Sequence, residues 1–433
     1  MLAYYFNLAL RSFKRNKVLT ALMVLAIALG IGACMTTLTV FAVLSGNPLP
    51  GKSDRLFYVQ VDPRPAAGYV SGEEPERELS RLDAEALLRE GRAPRQVMMS
   101  GGNVIVDPGT QGSTPYFTDA RYTSADFFAM FDAPLLYGRG WTKEDDEARA
   151  RVVVISRETN DRVFGGEDSV GRTLRLVTSE FQVVGVLDDW RLVPKFYDLT
   201  TGRFGATEDV FLPFSTSRDL DFGTQGSTNC WASHSEDSYT LNAPCAWIQY
   251  WVELDEAAQA GDFKAYLENY SAQQNAAGRF ERDPNVRLRN VMEWLEFNRV
   301  VPADVRLQVW LAFGFLLVCL INTVGLLLAK FLRRSGEIGV RRALGAPRTE
   351  IFRQCLVEAG TIGLAGGGLG LGVALLGLWA VRQQPASYAK LAQMDLPMLG
   401  LTFALAVLAS LLAGLLPAWR ATQITPAIQL KSQ

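Results

Sequence analysis

The segment RRSGEIGVRRALGAPRTEIFRQCLVE, residues 333–358, lies between two long apolar runs and contains six arginines against three glutamates. A short loop this basic beside membrane spans belongs on the cytoplasmic side. Ile338 and Arg342 are one helical turn apart, Gly345 is suited to end a helix, and Pro347 is suited to begin the next. The sequence therefore predicts a short helix at the cytoplasmic membrane surface. On composition alone, the alternative is that these arginines only set the topology and bind lipid phosphates.

Four apolar runs are long enough to cross a bilayer. The first, residues 18–44, has 27 residues, and the others, at 307–329, 359–381 and 396–419, have 23, 23 and 24, all without a charged residue. Each exceeds the roughly 20 residues that span ~30 Å of hydrocarbon. A cleaved signal peptide is the alternative for the first run, but that run is longer than the ~7–15 apolar residues of such a peptide. We therefore predict four transmembrane helices with both termini inside.

Charge divides the chain into two parts. Residues 46–304 contain 27 Lys and Arg against 41 Asp and Glu, a net charge of −14, whereas the remainder contains 16 against 4, a net charge of +12. An acidic soluble part and a membrane part with basic cytoplasmic edges produce this division. The soluble part is long enough to bury a core of its own. Because that part is acidic, we expect no nucleic acid partner.

The acidic part contains both strand and helix patterns. Residues 56–61, 103–106, 151–156 and 180–187 are short apolar runs rich in β-branched residues, and residues 79–90 have the spacing of an amphipathic helix. The prediction is therefore an α-helical membrane protein with four transmembrane helices and an α+β extracytoplasmic domain inserted between helices 1 and 2.

Two sets of sequence segments resemble those of a known family. EIGVRRALGA at 337–346, followed by IFRQCLVEA at 351–359, resembles the FtsX-like permease domain found in MacB-like, LolC/LolE-like and FtsX-like subunits of ABC transporters. YTSADFFAMFDAPLLYGRGWT at 122–142, VVVISRETNDRVFGGEDSVGRTLRL at 152–176 and FQVVGVLDD at 181–189 resemble, in this order, the periplasmic core domain of MacB-like permeases. The resemblance covers most of the chain.

This resemblance implies the permease subunit of an ATP-driven transporter, in a bacterial inner membrane with its large domain in the periplasm. The implied partners are an ABC ATP-binding subunit, a second permease as homodimer or paralogous heterodimer, and, for efflux, a periplasmic adaptor and an outer-membrane channel. Release of lipoproteins, as in LolC/LolE-like subunits, or signalling to a periplasmic partner, as in FtsX-like subunits, is the alternative. The implied contacts with the ATPase are Glu337, Gly339, Arg341, Arg342, Ala343, Leu344 and Gly345.

The chain is predicted to divide into nine segments. In order, they are a cytoplasmic amphipathic helix 1–17, the first transmembrane helix 18–45, a MacB-like periplasmic α+β domain with stalk ends 46–304, the second transmembrane helix 305–331, a cytoplasmic coupling loop or helix 332–354, the third transmembrane helix 355–381, a short periplasmic loop 382–395, the fourth transmembrane helix 396–419 and a cytoplasmic tail 420–433. Within the stalk, a helix at residues 283–304 is expected to extend the second span outward, with Pro302 kinking or ending it.

Residues 216–246 are rich in polar residues and are predicted to be an insertion in the outer domain. Cys230 and Cys245 lie in it, and in an oxidising compartment we expect them to form a disulfide worth ~3 kcal/mol in the chain-entropy model. A loop that binds a partner or substrate is the alternative role for the segment. His234 lies between the two cysteines, but a disulfide removes both thiolates, so no metal site is predicted.

Enzymatic chemistry is not indicated by the sequence. It contains no GxxxxGK[ST] phosphate loop, no HExxH motif and a single histidine, so no catalytic residue is predicted. We therefore expect ATP and Mg²⁺ to be used by a separate ATP-binding subunit, and we expect this chain to bind no cofactor itself.

Overall fold

The computed structural model describes residues 2–15, 17–109, 114–234, 237–385 and 388–423. The chain folds as two compact units. A helical unit is made of Met1–Ser45 and Val301–Gln433, and a sheet-containing unit is made of Gly46–Val300.

The helices and strands of the described residues are numbered in chain order. The helices are α1 Leu2–Arg15, α2 Lys17–Ser45, α3 Arg81–Glu90, α4 Phe127–Met130, α5 Lys143–Glu147, α6 Arg157–Phe164, α7 Phe214–Asp219, α8 Ala260–Ala276, α9 Val291–Phe297, α10 Ala303–Arg333, α11 Ser335–Ala343, α12 Arg348–Arg382 and α13 Leu396–Thr422. The strands are β1 Leu56–Gln60, β2 Leu79–Ser80, β3 Arg95–Asp107, β4 Tyr116–Thr123, β5 Leu135–Gly138, β6 Val152–Ser156, β7 Thr173–Leu176, β8 Ser179–Leu187, β9 Val210–Pro213, β10 Thr224–Gln225, β11 Asn229–Cys230, β12 Cys245–Glu253 and β13 Arg287–Asn290.

Four helices of the helical unit, α2, α10, α12 and α13, are long and apolar enough to cross a membrane. Helix α2 packs against α10 and α12, and α13 packs against α10 and α12. Met23, Ile27 and Ile31 of α2 contribute one side of the shared core. Ile362 of α12 and Ala406 of α13 contribute to the same core. This packing buries the face of α2 that is directed toward α10 and α12.

Glycines on two faces of α12 permit this close packing. A Cβ at Gly367 would lie 2.8 Å from the Cβ of Ala406 in α13, and one at Gly366 would lie 2.6 Å from Cγ2 of Ile27 in α2. A Cβ at Gly368, in contrast, would have no described atom within 4 Å. Gly366 and Gly367 therefore lie where α12 approaches α2 and α13 too closely for a larger residue.

The strands form one mixed sheet with the main order β13-β1-β12-β3-β4-β9-β6-β8-β5 among the described residues. The pairs β4/β9 and β6/β8 are parallel, and the other pairs along this path are antiparallel. All nine residues of β12 are buried. This strand therefore lies in the middle of the core, and its lack of alternating polarity explains why the sequence did not predict it.

Local sequence signals set several element boundaries. Ser80 ends β2 and caps α3 by accepting a hydrogen bond from the backbone N–H of Asp83, so α3 begins at Arg81 rather than at residue 79. Gly91, with φ of 62°, ends α3. Strand β3 begins at Arg95, well before the predicted residue 103, because the added residues are mostly buried and do not alternate.

The helix expected at residues 283–304 is shorter than predicted and does not extend the second span. Helix α9 ends at Phe297, and α10 begins at Ala303 with Pro302 as its N-cap residue. Proline has no backbone N–H to continue a preceding helix, but it is well tolerated at a helix start. The segment around Pro302 therefore marks the start of α10.

The segment predicted as an insertion is partly incorporated into the sheet. Within it, β10 pairs with β3, and β11 pairs with β12. Cys230 and Cys245, opposite each other in these last two strands, are joined by a disulfide. The atoms of Cys230, His234 and Cys245 that could bind a metal ion lie within 4.8 Å of one another. Both sulfurs, however, take part in the disulfide.

Candidate functional site

The short basic helix predicted between the second and third spans is present as α11. It follows α10 directly, and Gly345, with φ of +97°, lies just after its end. The backbone N–H of Ala346 donates to the carbonyl of Arg341 at 3.1 Å, which closes the last turn. Pro347 then caps α12, which begins at Arg348, inside the range predicted for the loop.

Charged residues of α11 fix this helix to the helical unit. Gly339 of the same helix is buried. The carboxylate of Glu337 accepts hydrogen bonds from Arg341 at 3.1 Å and from Arg334 at 3.4 Å. Arg341 also donates to Oε1 of Gln354 in α12 at 3.1 Å. These contacts hold the helix against the end of α10 and the start of α12.

A further contact ties α11 to the fourth membrane helix. Nη1 of Arg342 donates to the backbone carbonyl of Thr422 in α13 at 3.1 Å. Because carbonyls at a helix C-terminus have no partner within the helix, a cation there is favourable. Helix α11 is thus joined to α10, α12 and α13.

Another part of the α11 surface, continued by the residue after its last turn, is apolar and exposed. The residue Leu344 is 83% exposed and Val340 is 53% exposed. These two residues are four positions apart, so their side chains share one helix face. Ala343 and Gly345 beside them are also exposed. Of the seven residues predicted to contact an ATPase, Ala343, Leu344 and Gly345 are therefore free to meet a partner, whereas Gly339 is turned inward.

A buried ionic cluster lies next to α11, and the sequence did not predict its composition. The carboxylate of Glu358 in α12 lies 2.8 Å from Nζ of Lys330 and 3.1 Å from Nη1 of Arg334. Ser12 of α1 donates to the same carboxylate at 2.5 Å. The side chain of Lys330 is 0% exposed, and it also donates to Thr20 of α2 at 3.3 Å. One carboxylate thereby joins residues from α1, α10 and α12.

Sequence spacing gave no direct signal for this cluster. Ser12 and Glu358 are 346 positions apart, and the charges of Lys330 and Arg334 resemble the ordinary basic end of a transmembrane helix. The one available indication is that Glu358 is acidic and lies at the edge of an apolar run, where an ionisable residue usually has a partner.

The fold and this site define a multi-pass membrane protein of the permease class with an extracytoplasmic domain after its first membrane helix. A family model of the MacB-like periplasmic core domain matches residues 20–270, and a model of the FtsX-like permease C-terminal region matches residues 309–426. The chain therefore belongs to the MacB-like family of ABC transporter permeases. The family and the fold class predicted from the sequence are confirmed.

Individual relatives agree with this assignment. The pyoverdine export ATP-binding/permease protein PvdT of Pseudomonas aeruginosa is 24% identical over 429 residues, which cover 96% of this chain and 57% of PvdT. The macrolide export ATP-binding/permease protein MacB of Rhodospirillum rubrum is 28% identical over 447 residues, covering 99% of this chain and 60% of that protein. The chain thus spans about three fifths of the length of these relatives.

Among solved structures, the chain is similar to the periplasmic region of MacB from Actinobacillus actinomycetemcomitans. The sequence identity is 15%, the match covers 57% of this chain and 94% of that structure, and the TM-score is 0.36.

Proposed function

We propose that this chain is the permease subunit of an ATP-driven MacB-like exporter in a bacterial inner membrane. A separate ATP-binding subunit, which uses ATP and Mg²⁺, docks on the exposed face of α11. Two permeases, identical or paralogous, work together, and closure of the ATP-binding subunits moves their helices. The resulting change of shape in the periplasmic domains drives substrate outward through an adaptor and an outer-membrane channel, so no path through the bilayer is needed.

The observation that carries this proposal is that α11 combines contacts to the membrane helices with an exposed apolar surface. A helix that receives force from a partner must be rigidly attached to the membrane helices and must also present a surface to that partner. Arg341 and Arg342 supply the attachment through contacts with α12 and α13, and Glu337 binds Arg334 at the junction with α10. Val340 and Leu344 supply an exposed apolar surface. Burial of exposed apolar side chains against a partner contributes favourably to protein association.

The names of the relatives support the export direction. One relative is named for pyoverdine export and another for macrolide export, and both names include ATP binding together with permease function. The substrate of this chain is a separate question, since the match covers about three fifths of each relative.

Replacement of Leu344 by Asp tests the docking surface. Because Leu344 is 83% exposed, the substitution leaves the fold intact but places a charge in the proposed interface. We expect at least a tenfold loss of the ATP-binding protein that co-purifies with the full chain, as each desolvated unpaired charge costs several kcal/mol. Quantitative co-purification from the native membrane, with thermal unfolding of the purified chain in parallel, measures both effects.

The matched control is Leu396→Asp. Leu396 is 82% exposed, like Leu344, but it is the first residue of α13, where an acidic residue is compatible with the helix dipole. This control should co-purify the ATP-binding protein at the wild-type level. Equal co-purification by wild type and Leu344→Asp would reject the assignment of α11 as the docking helix.

A further inference from the structure

The sheet-containing unit has a cavity of about 260 Å³ that the transport proposal does not use. Tyr58, Tyr197 and Trp294 form much of its wall, and Glu78 and Gln249 contribute polar groups. Tyr58 and Trp294 are stacked with ring centroids 3.8 Å apart, so this part of the wall is fixed. The volume is at the lower end for a small-molecule site and has room for a molecule about as large as a single aromatic amine.

Two buried polar groups of the cavity can accept hydrogen bonds from a ligand. Gln249 is 3% exposed, and its Nε2 donates to the carboxyl group of Glu78, which is 4% exposed. Oε1 of Gln249 is buried and has no hydrogen-bond partner among the described residues. A buried amide oxygen without a partner costs free energy, and a ligand that donates to it recovers that energy.

Two nearby donors in the wall are already committed to other partners. The hydroxyl of Tyr197 donates to Glu208 at 2.9 Å, and the hydroxyl of Thr200 donates to Asp198 at 2.7 Å. The cavity therefore offers a carboxyl group and an amide oxygen to a ligand, and it needs a donor in return. A protonated amine has up to three N–H donors and no acceptor, which matches this set.

Charges around Glu78 favour a cationic ligand. Burial first, and then the negative charges of Asp198 and Glu76, raise the pKa of Glu78 to about 8, against the opposing effects of Gln249 and Arg77. The empty site therefore holds a protonated acid at neutral pH. A cation placed beside it would compensate the buried negative charge and return this pKa to a lower value.

Two arginines also line the cavity, and they do not reverse this preference. Arg77 and Arg203 are both exposed, so water and salt screen their charges. Glu78 is buried, and interactions at its carboxyl group are screened far less. The buried carboxyl group of Glu78 therefore has the larger effect on the charge of the ligand that the cavity favours.

We propose that this cavity is a binding site for a small organic amine, whose ammonium group donates to the carboxylate of Glu78 and to Oε1 of Gln249. The aromatic residues enclose the apolar part of the molecule. The inference is independent of the proposed export function, because it concerns equilibrium binding to the sheet-containing unit and needs neither ATP nor a partner.

Isothermal titration of the purified full chain with phenethylamine tests the site. We expect saturable binding of one molecule per chain, and phenethyl alcohol, the uncharged analogue, should bind at least tenfold more weakly. Because burial raises the pKa of Glu78 to about 8, a proton should leave it at neutral pH when the amine binds. Titrations in buffers of different ionisation enthalpy measure this proton release.

The variant Glu78→Gln separates the charge from the shape of the site. It should bind phenethylamine at least tenfold more weakly and release no proton, while its melting temperature stays close to that of wild type, because Glu78 is already neutral in the empty site. Glu85→Gln, which changes a half-buried ion pair on α3 that does not line the cavity, is the matched control and should behave like wild type. Equal binding of amine and alcohol, or binding without proton release by wild type, would overturn the proposal.

Discussion

At the scale of single residues, the cluster around Glu358 is the contact with the largest consequence for the helical unit. Lys330 is fully buried, and its charge is compensated by Glu358 at 2.8 Å. Two buried charges in contact add little net stability, but removal of one of them leaves the other without compensation. The cluster is therefore a point at which a conservative substitution should be costly.

We predict that Glu358→Gln lowers the stability of the helical unit by about 3–5 kcal/mol, the usual cost of an unpaired buried charge. Three free cysteines, Cys34, Cys319 and Cys355, are buried in this unit, so reaction with a thiol-specific dye during heating reports its unfolding. The melting temperature should fall markedly in this assay.

Two further variants decide whether the unpaired charge is the cause. Glu350→Gln changes an exposed acid near the start of the same helix and should leave the melting temperature unchanged. Adding Lys330→Met to Glu358→Gln removes the uncompensated charge and should recover much of the lost stability. A double variant as unstable as Glu358→Gln alone would contradict the electrostatic explanation.

A contact within α11 can be predicted from the sequence, whereas contacts between α11 or its neighbours and distant parts of the chain cannot. Glu337 and Arg341 are four positions apart, so their ion pair follows from helical spacing. The contact of Arg342 with Thr422 and that of Ser12 with Glu358 join residues far apart in the chain. Such contacts depend on how helices pack, and no local pattern encodes that packing.

At the scale of elements, α12 has one face that tolerates side chains and two that do not. A Cβ at Gly363 would overlap the hydroxyl of Ser410 in α13, whereas a Cβ at Gly368 would have no described atom within 4 Å. The two glycines lie on the same helix and differ in their surroundings. They therefore form a natural pair for testing the helix packing.

We predict that Gly363→Leu destabilises the helical unit by roughly 2 kcal/mol or more, because the added side chain forces α12 and α13 apart. Gly368→Leu should leave stability unchanged or slightly improved, since leucine favours helix more than glycine does. The thiol-dye melting assay compares both variants in one detergent. Equal destabilisation by the two substitutions would contradict the packing explanation, because of the two glycines only Gly363 has close described neighbours in α13.

Elements with a regular pattern could be predicted from the sequence, and buried strands could not. The four membrane helices follow from uncharged runs of adequate length, and β6 and β8 follow from β-branched runs. Strand β12 is buried along its whole length, and its first two residues lie in the segment 216–246 that was predicted to be an insertion. Its pairing with β3 and β1, and not its own composition, fixes it as a strand.

At the scale of the whole molecule, the division of charge predicted the division of the fold. The acidic part of the sequence corresponds closely to the sheet-containing unit Gly46–Val300, and the basic part corresponds to the helical unit. This agreement has a physical cause, since basic residues gather beside membrane helices on the cytoplasmic side and a water-exposed domain needs no such bias. The mode of action does not follow from composition, because it depends on movement.

The central claim is that ATP used by a cytoplasmic partner changes the arrangement of two extracytoplasmic domains through α11. Double electron–electron resonance tests this claim in the complex of permease and ATP-binding protein, reconstituted in lipid nanodiscs. The spin labels are attached at Thr178→Cys, an exposed position of the sheet-containing unit, and the distance between the labels of the two permeases is measured. The account predicts that ATP with Mg²⁺ shifts the label-to-label distance distribution in wild type and leaves it unchanged in Leu344→Asp. An identical distribution with and without ATP, in a complex that hydrolyses ATP at its normal rate, would contradict it.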